Sequence, residues 1–242
     1  MKIQSLIATV VLSAAPALAA PTVSAEPIAC WSFDRAEKNA FSSTGRAGRP
    51  AGIIGAVKSV AGVADSAASF ESQPAGQLVI PIDLIPATKS VFTVEFWLRA
   101  RGRSDSYGTC LDAGGSKGFV IRTNNTGRLS LSTDGKWNVI TTLSPLVEQT
   151  WVHVALTSDD TTLRFYVDGR DAGMLAISNP LRLAPALQLG AVVERIKQPD
   201  GSVSEGAVKP LIGDLDELKL YDRVRSPGEI ATAAKAGVKP AR

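Results

Sequence analysis

The chain has 242 residues, 26 Lys and Arg against 23 Asp and Glu, and a formal charge of +3. Its basic clusters, such as Arg99, Arg101 and Arg103, are short and interrupted by Gly and Ser, which excludes the dense positive field that nucleic acid or an acidic membrane surface calls for. Beyond the N-terminus no apolar run is long enough to span a bilayer.

The first elements in chain order belong to export rather than to the fold. Lys2, an apolar run from Ile7 to Leu18 and then small residues have the layout of a secretory signal peptide. Cleavage fits after Ala19 or Ala25, and Pro21 disfavours a cut just before it. With the boundary at Ala25, residues 1–25 are the signal peptide and residues 26–242 suffice for one all-β domain, expected to be secreted or periplasmic. Lipidation of Cys30 is disfavoured, because Pro27-Ile28-Ala29 precedes it and the apolar core ends well upstream. In an exported chain Cys30 and Cys110 have only one pairing, which would close a loop worth roughly 4 kcal/mol on chain-entropy grounds. The alternative is two buried thiols.

From Ala29 onward, short alternating apolar runs separated by Gly, Asn, Asp and Pro predict a β-sandwich. Strands are expected near Ala29–Phe33, Ala68–Phe70, Gln77–Ile80, Phe92–Arg99, Gly108–Ala113, Gly118–Thr123, Arg128–Thr133, Trp151–Ser158, Thr162–Val167, Leu187–Gly190 and Leu211–Tyr221. Asn124 to Gly127 and Asp168-Gly169 suit hairpin turns. The stretch from Ser42 to Ala56 reads as loop, and Asp112 to Ser116 reads as a turn rather than a phosphate cradle. Near the end, Ser226-Pro227-Gly228-Glu229 forms a capping-box signature for a short helix that Gly237 stops.

The ordered set WSFD (Trp31 to Asp34), FTVEFWLRA (Phe92 to Ala100), WVHVALT (Trp151 to Thr157), LRFYVDG (Leu163 to Gly169), QLG (Gln188 to Gly190) and IGDLDELKLYDRVRSPGEI (Ile212 to Ile230) resembles the laminin G-like modules of the concanavalin A-like lectin and glucanase superfamily. The resemblance covers nearly all of residues 26–242. It implies a jelly-roll sandwich of two antiparallel sheets whose last strand returns beside the first. The superfamily includes lectins, adhesion modules, hydrolases and lyases, so function has to come from a site.

Alternation in Phe92–Arg99 places Phe92, Val94, Phe96 and Leu98 in the core and Thr93, Glu95, Trp97 and Arg99 opposite. Likewise Val152, Val154 and Leu156 face in, and Trp151, His153, Ala155 and Thr157 face out. If the two strands are neighbours, Glu95, Trp97, Arg99, Trp151 and His153 share a surface, with Arg164 and Tyr166 beside them. Indole faces stack on sugar rings while charged groups bond hydroxyls, so these residues form a candidate glycan surface. The competing reading makes Trp151, His153 and Trp97 architecture, with the imidazole bonded to a backbone carbonyl.

Glycoside hydrolysis needs two carboxyl groups about 5 to 10 Å apart. Asp214 and Asp216 alternate as the superfamily's glucanases require, but alternation then brings Leu218 to their face and turns Glu217 away. No Gly-x-Ser-x-Gly elbow, zinc-ligand spacing or cofactor fingerprint occurs. The resemblance also implies a structural calcium where the first strand meets the last, held by Asp34 and Asp216. The expected role is non-catalytic binding of a glycan or a cell-surface protein. A divergent hydrolase or lyase and a protein adhesion module without a sugar site are the alternatives. Specificity is assigned to loops such as Arg101–Tyr107 and Glu194–Ala207.

Overall fold

A computed structural model describes residues 26–82, 91–178, 181, 183–197 and 200–237, without the side chains of 193–197, 203–205 and 207. The expected export segment, residues 1–25, lies outside the described residues. Two antiparallel sheets face each other. The first runs β15 (Arg170–Ala176), β14 (Thr162–Val167), β13 (Trp151–Asp159), β8 (Val91–Ala100), β19 (Gly213–Tyr221), β6 (Ser66–Phe70) and β5 (Val57–Ala61), with β1 (Ala29–Trp31) also on β19. The second runs β12 (Lys136–Thr141), β11 (Leu129–Thr133), β10 (Phe119–Asn124), β9 (Tyr107–Asp112), β16 (Ala186–Leu189), β7 (Gly76–Pro81), β4 (Ala51–Gly55), β3 (Ala40–Phe41) and β2 (Ala36–Glu37). A separate hairpin joins β17 (Val192–Lys197) to β18 (Val203–Val208), and a helix, α1 (Pro227–Ala236), follows β19.

The closure expected of a jelly roll is present. Ala29, Cys30 and Trp31 pair antiparallel with Leu220, Lys219 and Leu218. The alternation argument also holds in the middle of the first sheet, because Phe92, Val94, Phe96, Leu98, Val152, Val154 and Leu156 all enter the buried core. They meet Leu111, Phe119, Ile121, Leu129 and Leu131 of the second sheet, and the rings of Phe92 and Phe119 stack at 5.5 Å. Each fully buried side chain of this size contributes roughly 1.5–3 kcal/mol.

Turn chemistry sets the hairpins. Asp168 and Gly169 adopt φ of 49° and 73°, the paired left-handed conformation of a type I′ turn. Asn124 Oδ1 accepts the N–H groups of Thr126 and Arg128, holding the β10–β11 turn. In α1, Ser226 Oγ accepts from the Glu229 N–H while the Glu229 carboxylate accepts from Ser226 N, so the capping box is complete.

Several expectations need correction. Part of the presumed Ser42–Ala56 loop is β4, whose Ile53 pairs with Leu78, and the Glu194–Ala207 loop contains the β17–β18 hairpin. The two cysteines are free. Cys30 lies beside Lys219 between the buried Ala29 and Trp31, on the outer side of the first sheet, whereas Cys110 of β9 is wholly buried in the core. Alternation on β1 thus turns the Cys30 thiol away from its only possible partner, and burial pushes the Cys110 thiol up to about 12.

Candidate functional site

The predicted neighbours do come together. Register places Trp97 opposite His153 and Arg99 opposite Trp151, with Glu95 one pair along at Ala155. Glu95, Trp97 and His153 form no open surface, because α1 and the segment leading into it lie over them, while Arg99 and Trp151 are half-buried. Glu95, Trp97, His153 and Tyr166 are only 2–5 % exposed. Ile230 of α1 packs on Ala155 and Tyr166, and the helix end approaches so closely that a Cβ on Gly237 would sit 2.1 Å from the Trp97 ring.

The Glu95 carboxylate is satisfied within the protein. Arg225 Nη1 donates to both Glu95 oxygens at 2.6 and 2.5 Å, and the Tyr221 hydroxyl donates to the same carboxylate at 3.0 Å. His153 Nε2 stands 3.6 Å from Glu95 while Nδ1 has no partner. The expected imidazole bond to a carbonyl is therefore absent; the His153 backbone N–H instead donates to Asp168. Burial, with Arg225 and Lys219 nearby, pushes the imidazole down to about 4, leaving it neutral at pH 7. A cavity of about 180 Å³ remains between sheet and helix, lined by Glu95, Trp97, His153, Lys219, Ala233 and Gly237 among others.

Arg99 is not paired with Glu95. It donates to Asp214, as Arg101 does, and its guanidinium lies 4.6 Å from the Trp151 ring centre. A bulge in β19 explains why alternation misplaced the acidic strand. Glu217 has φ of 50°, and the register on β8 shifts between Asp216 and Lys219. Core-facing Leu215 is thus followed by Leu218 and Leu220, and Glu217 and Lys219 line the cavity under α1. Leu218 is therefore not the next residue on the acidic face, and Glu217 does not turn away.

Asp216 and Asp34 converge on the β5–β6 connection without presenting a cation cage. Asp216 accepts N–H groups from Val63, Ala64 and Glu217, and Asp34 accepts the Ser66 N–H. Burial pushes the Asp216 carboxyl up to about 7, against the pull of those donors. Positive N–H dipoles on the carboxylate oxygens are the wrong surroundings for calcium, and the described residues contain no group of three acidic, His or Cys side chains placed to hold a metal. The implied calcium does not fit this donor set.

An open polar site lies on the outer face of the second sheet, where no candidate residue was placed in advance. Phe119 and Ile121 of β10 enter the core, so Val120 and Arg122 point outward. Bulges shape both flanks. On one side Ile121 pairs with Leu111 but Arg122 pairs with Thr109, sending both Cys110 and Leu111 inward. On the other side Leu131 pairs with Ile140 and Thr133 with Lys136, so β12 uses more residues than β11 over the same stretch. The surplus contains Trp137 and Asn138, and Asn138 has φ of 54°.

These bulges bring Arg122 between two aromatic faces, 3.9 Å from the Tyr107 ring centre and 4.6 Å from that of Trp137. Arg122 Nη2 donates to Asn138 Oδ1 at 3.1 Å, and Asn138 Nδ2 donates to the Tyr107 hydroxyl at 3.2 Å. Trp137 nevertheless remains 54 % exposed. A groove of about 300 Å³ runs beside it, lined also by Thr109, Asp112, Gln188 and Lys209. Asp112 Oδ1 accepts the N–H groups of Gly114 and Gly115, fixing the groove's end at a single 3-10 turn, Gly115–Lys117. An exposed indole beside amide, carboxylate and cationic groups is a chemistry that stacks on a sugar ring and bonds its hydroxyls.

The Laminin_G_3 family model, described as concanavalin A-like lectin/glucanases superfamily, matches residues 75–231, more than half of the chain. The chain belongs to this superfamily. Both the groove and the start of α1 fall inside the match. Among solved structures this superfamily member is similar to the binding domain of botulinum neurotoxin DC in complex with SialylT, at 11 % identity and a TM-score of 0.63 over 87 % of this chain and 50 % of that one. It is similar at 11 % identity to the same toxin domain in complex with rat synaptotagmin II, with a TM-score of 0.63 over 88 % of this chain and 52 % of that one. The chain thus spans about half the length of the toxin binding domains. It also resembles domain 4 of AbnA, an extracellular arabinanase of the GH43 class from Geobacillus stearothermophilus, in complex with arabinotriose, at 18 % identity and a TM-score of 0.62 over 86 % of this chain and 98 % of that domain. At these identities the likeness establishes the fold alone. No curated protein matches the chain.

Proposed function

We propose that this protein is an exported, non-catalytic module that binds carbohydrate in the groove on the outer face of the second sheet. The observation that carries the reading is Trp137, a large aromatic half in solvent, held by a bulge over a polar groove. Trp31 and Trp97 are buried and Trp151 is half-buried. Arabinotriose on the arabinanase domain and SialylT on the toxin domain support it as precedents on the same fold. Hydrolysis would need a second carboxyl group opposite Asp112. The carboxylates of the first sheet are unsuited to that task, since Glu95 and Asp214 are held by arginines.

A protein ligand is the second reading. It draws on the β12–β13 connection, where Leu143 is 93 % and Val147 69 % exposed beside a cavity of about 390 Å³. A glycan array probed with residues 26–242, followed by calorimetry of any hit, separates the two. Trp137→Ala is expected to weaken a bound glycan by about five- to tenfold, the loss of one stacking contact worth about 1–1.5 kcal/mol. An unchanged affinity in that variant overturns the assignment of the groove.

A further inference from the structure

Arg122 supplies a criterion for which sugars the groove takes. Its residue is only 5 % exposed, yet the hydrogen-bond acceptors it meets, Ser132 Oγ and Asn138 Oδ1, are neutral. Its Nε has no partner at all. Four other half-buried arginines are paired with carboxylates, Arg99 and Arg101 on Asp214, Arg225 on Glu95 and Arg223 on Glu229, while Arg128, less buried than Arg122, shares the unpartnered Nε. Among the described residues no carboxylate lies within ion-pair distance of Arg122.

A guanidinium taken out of water needs a counter-charge, and two aromatic faces return only part of what hydration supplied. The desolvation is expressed in its lowered pKa, which Tyr107 and Asp112 only partly offset. Asp112 acts through space and already accepts two backbone N–H groups, while Lys209 adds a second cation to the groove lining. We propose that the groove selects sugars carrying an anionic group, a uronate carboxylate or a sulfate ester, seated against Arg122 with the ring on Trp137. Arginine suits this task because its planar donor fork matches either oxyanion. The inference rests on the glycan reading of the same groove.

The test is calorimetry with two matched pairs, oligogalacturonate against its methyl ester and a carrageenan oligosaccharide against its desulfated form. At least one acidic member is expected to bind about tenfold tighter than its neutral congener, a preference that shrinks as salt rises. Which pair shows it distinguishes carboxylate from sulfate. Arg122→Gln should bring the acidic-to-neutral ratio to about one, whatever the affinity that remains for the neutral member. Arg122→Lys, which keeps the charge, should retain part of the ratio even where Arg122→Gln fails to fold. Equal binding of acidic and neutral members by the unmodified protein, or a preference that survives Arg122→Gln, overturns the anionic criterion and leaves the glycan reading standing. Failure of every sugar on the array to bind removes both.

Discussion

Glu95 shows how a residue placed as if for ligand recognition can serve the fold. Its carboxylate is 3 % exposed and holds Arg225 and Tyr221, which tie the approach to α1 onto the centre of the first sheet. Removing one member of a buried ion pair strands the other, so Glu95→Ala should cost about 3–5 kcal/mol in urea unfolding, whereas Trp137→Ala should leave stability within about 1 kcal/mol. Two buried groups set the pH response. His153, pushed down to about 4 from 6.5, gives up protons on folding, so its contribution is full above about pH 6.5 and is lost as pH falls toward 4. Asp216, pushed up to about 7 from 3.8, takes up protons on folding, so its contribution is full below about pH 4 and is lost as pH rises toward 7. The two slopes oppose each other across the shared window. His153→Asn should therefore leave stability falling with pH, and Asp216→Asn should leave it rising, each by up to about 1.4 kcal/mol per pH unit. Unfolding curves at about pH 4.5 and pH 6 read the slopes; slopes of the same sign in both variants would contradict the assignment.

At the scale of elements, α1 decides which face of the sandwich is closed. It rests on the β14–β15 turn, where a Cβ on Gly169 would lie 2.8 Å from Ala231 Cα and 3.1 Å from Ala234 Cβ. Gly135 has nearly the same φ, 74° against 73°, in an equivalent Asp-Gly turn with nothing within 4 Å. Gly135→Ala should cost only the left-handed strain, about 1 kcal/mol, and Gly169→Ala about 1–2 kcal/mol more, as read by denaturant midpoints. Equal costs would mean that the helix does not bear on the turn. The pairing of β8 with β13, the inward faces of both and the capping box were all legible in the sequence, because periodicity and cap chemistry are local. What eluded it depends on distant chain. The cover over Trp97 and His153 comes from residues 221–237, and alternation on one strand cannot report what packs on its outer face. The bulges at Glu217 and Asn138 break the period of two on which face assignment depends. The strand that carries Arg122 is legible in the sequence, and alternation with core-facing Phe119 and Ile121 turns Arg122 outward. Asp134-Gly135, the same turn signal as Asp168-Gly169, marked the hairpin that delivers Trp137.

Over the whole molecule, the two sheets divide the labour. The outer face of the first is covered by α1 over Glu95, Trp97 and His153 and uses charges in ion pairs, with a cavity of about 350 Å³ left beside Arg164 and Tyr166, while that of the second keeps its aromatic and cationic groups at a groove of about 300 Å³. No helix among the described residues is long and apolar enough to cross a membrane. The proposed binding on the open face gives a role to a half-exposed indole, Trp137, and to a deeply set arginine, Arg122, that has no carboxylate partner among the described residues. The most direct test is an NMR titration of residues 26–242 with a glycan identified on the array, following side-chain N–H signals. The Trp137 indole, the Arg122 guanidinium and the Gln188 amide are expected to shift together and to saturate with one affinity. Shifts confined to Trp97, Trp151 and Arg99, or to the connection between β12 and β13, would place binding elsewhere and contradict the account.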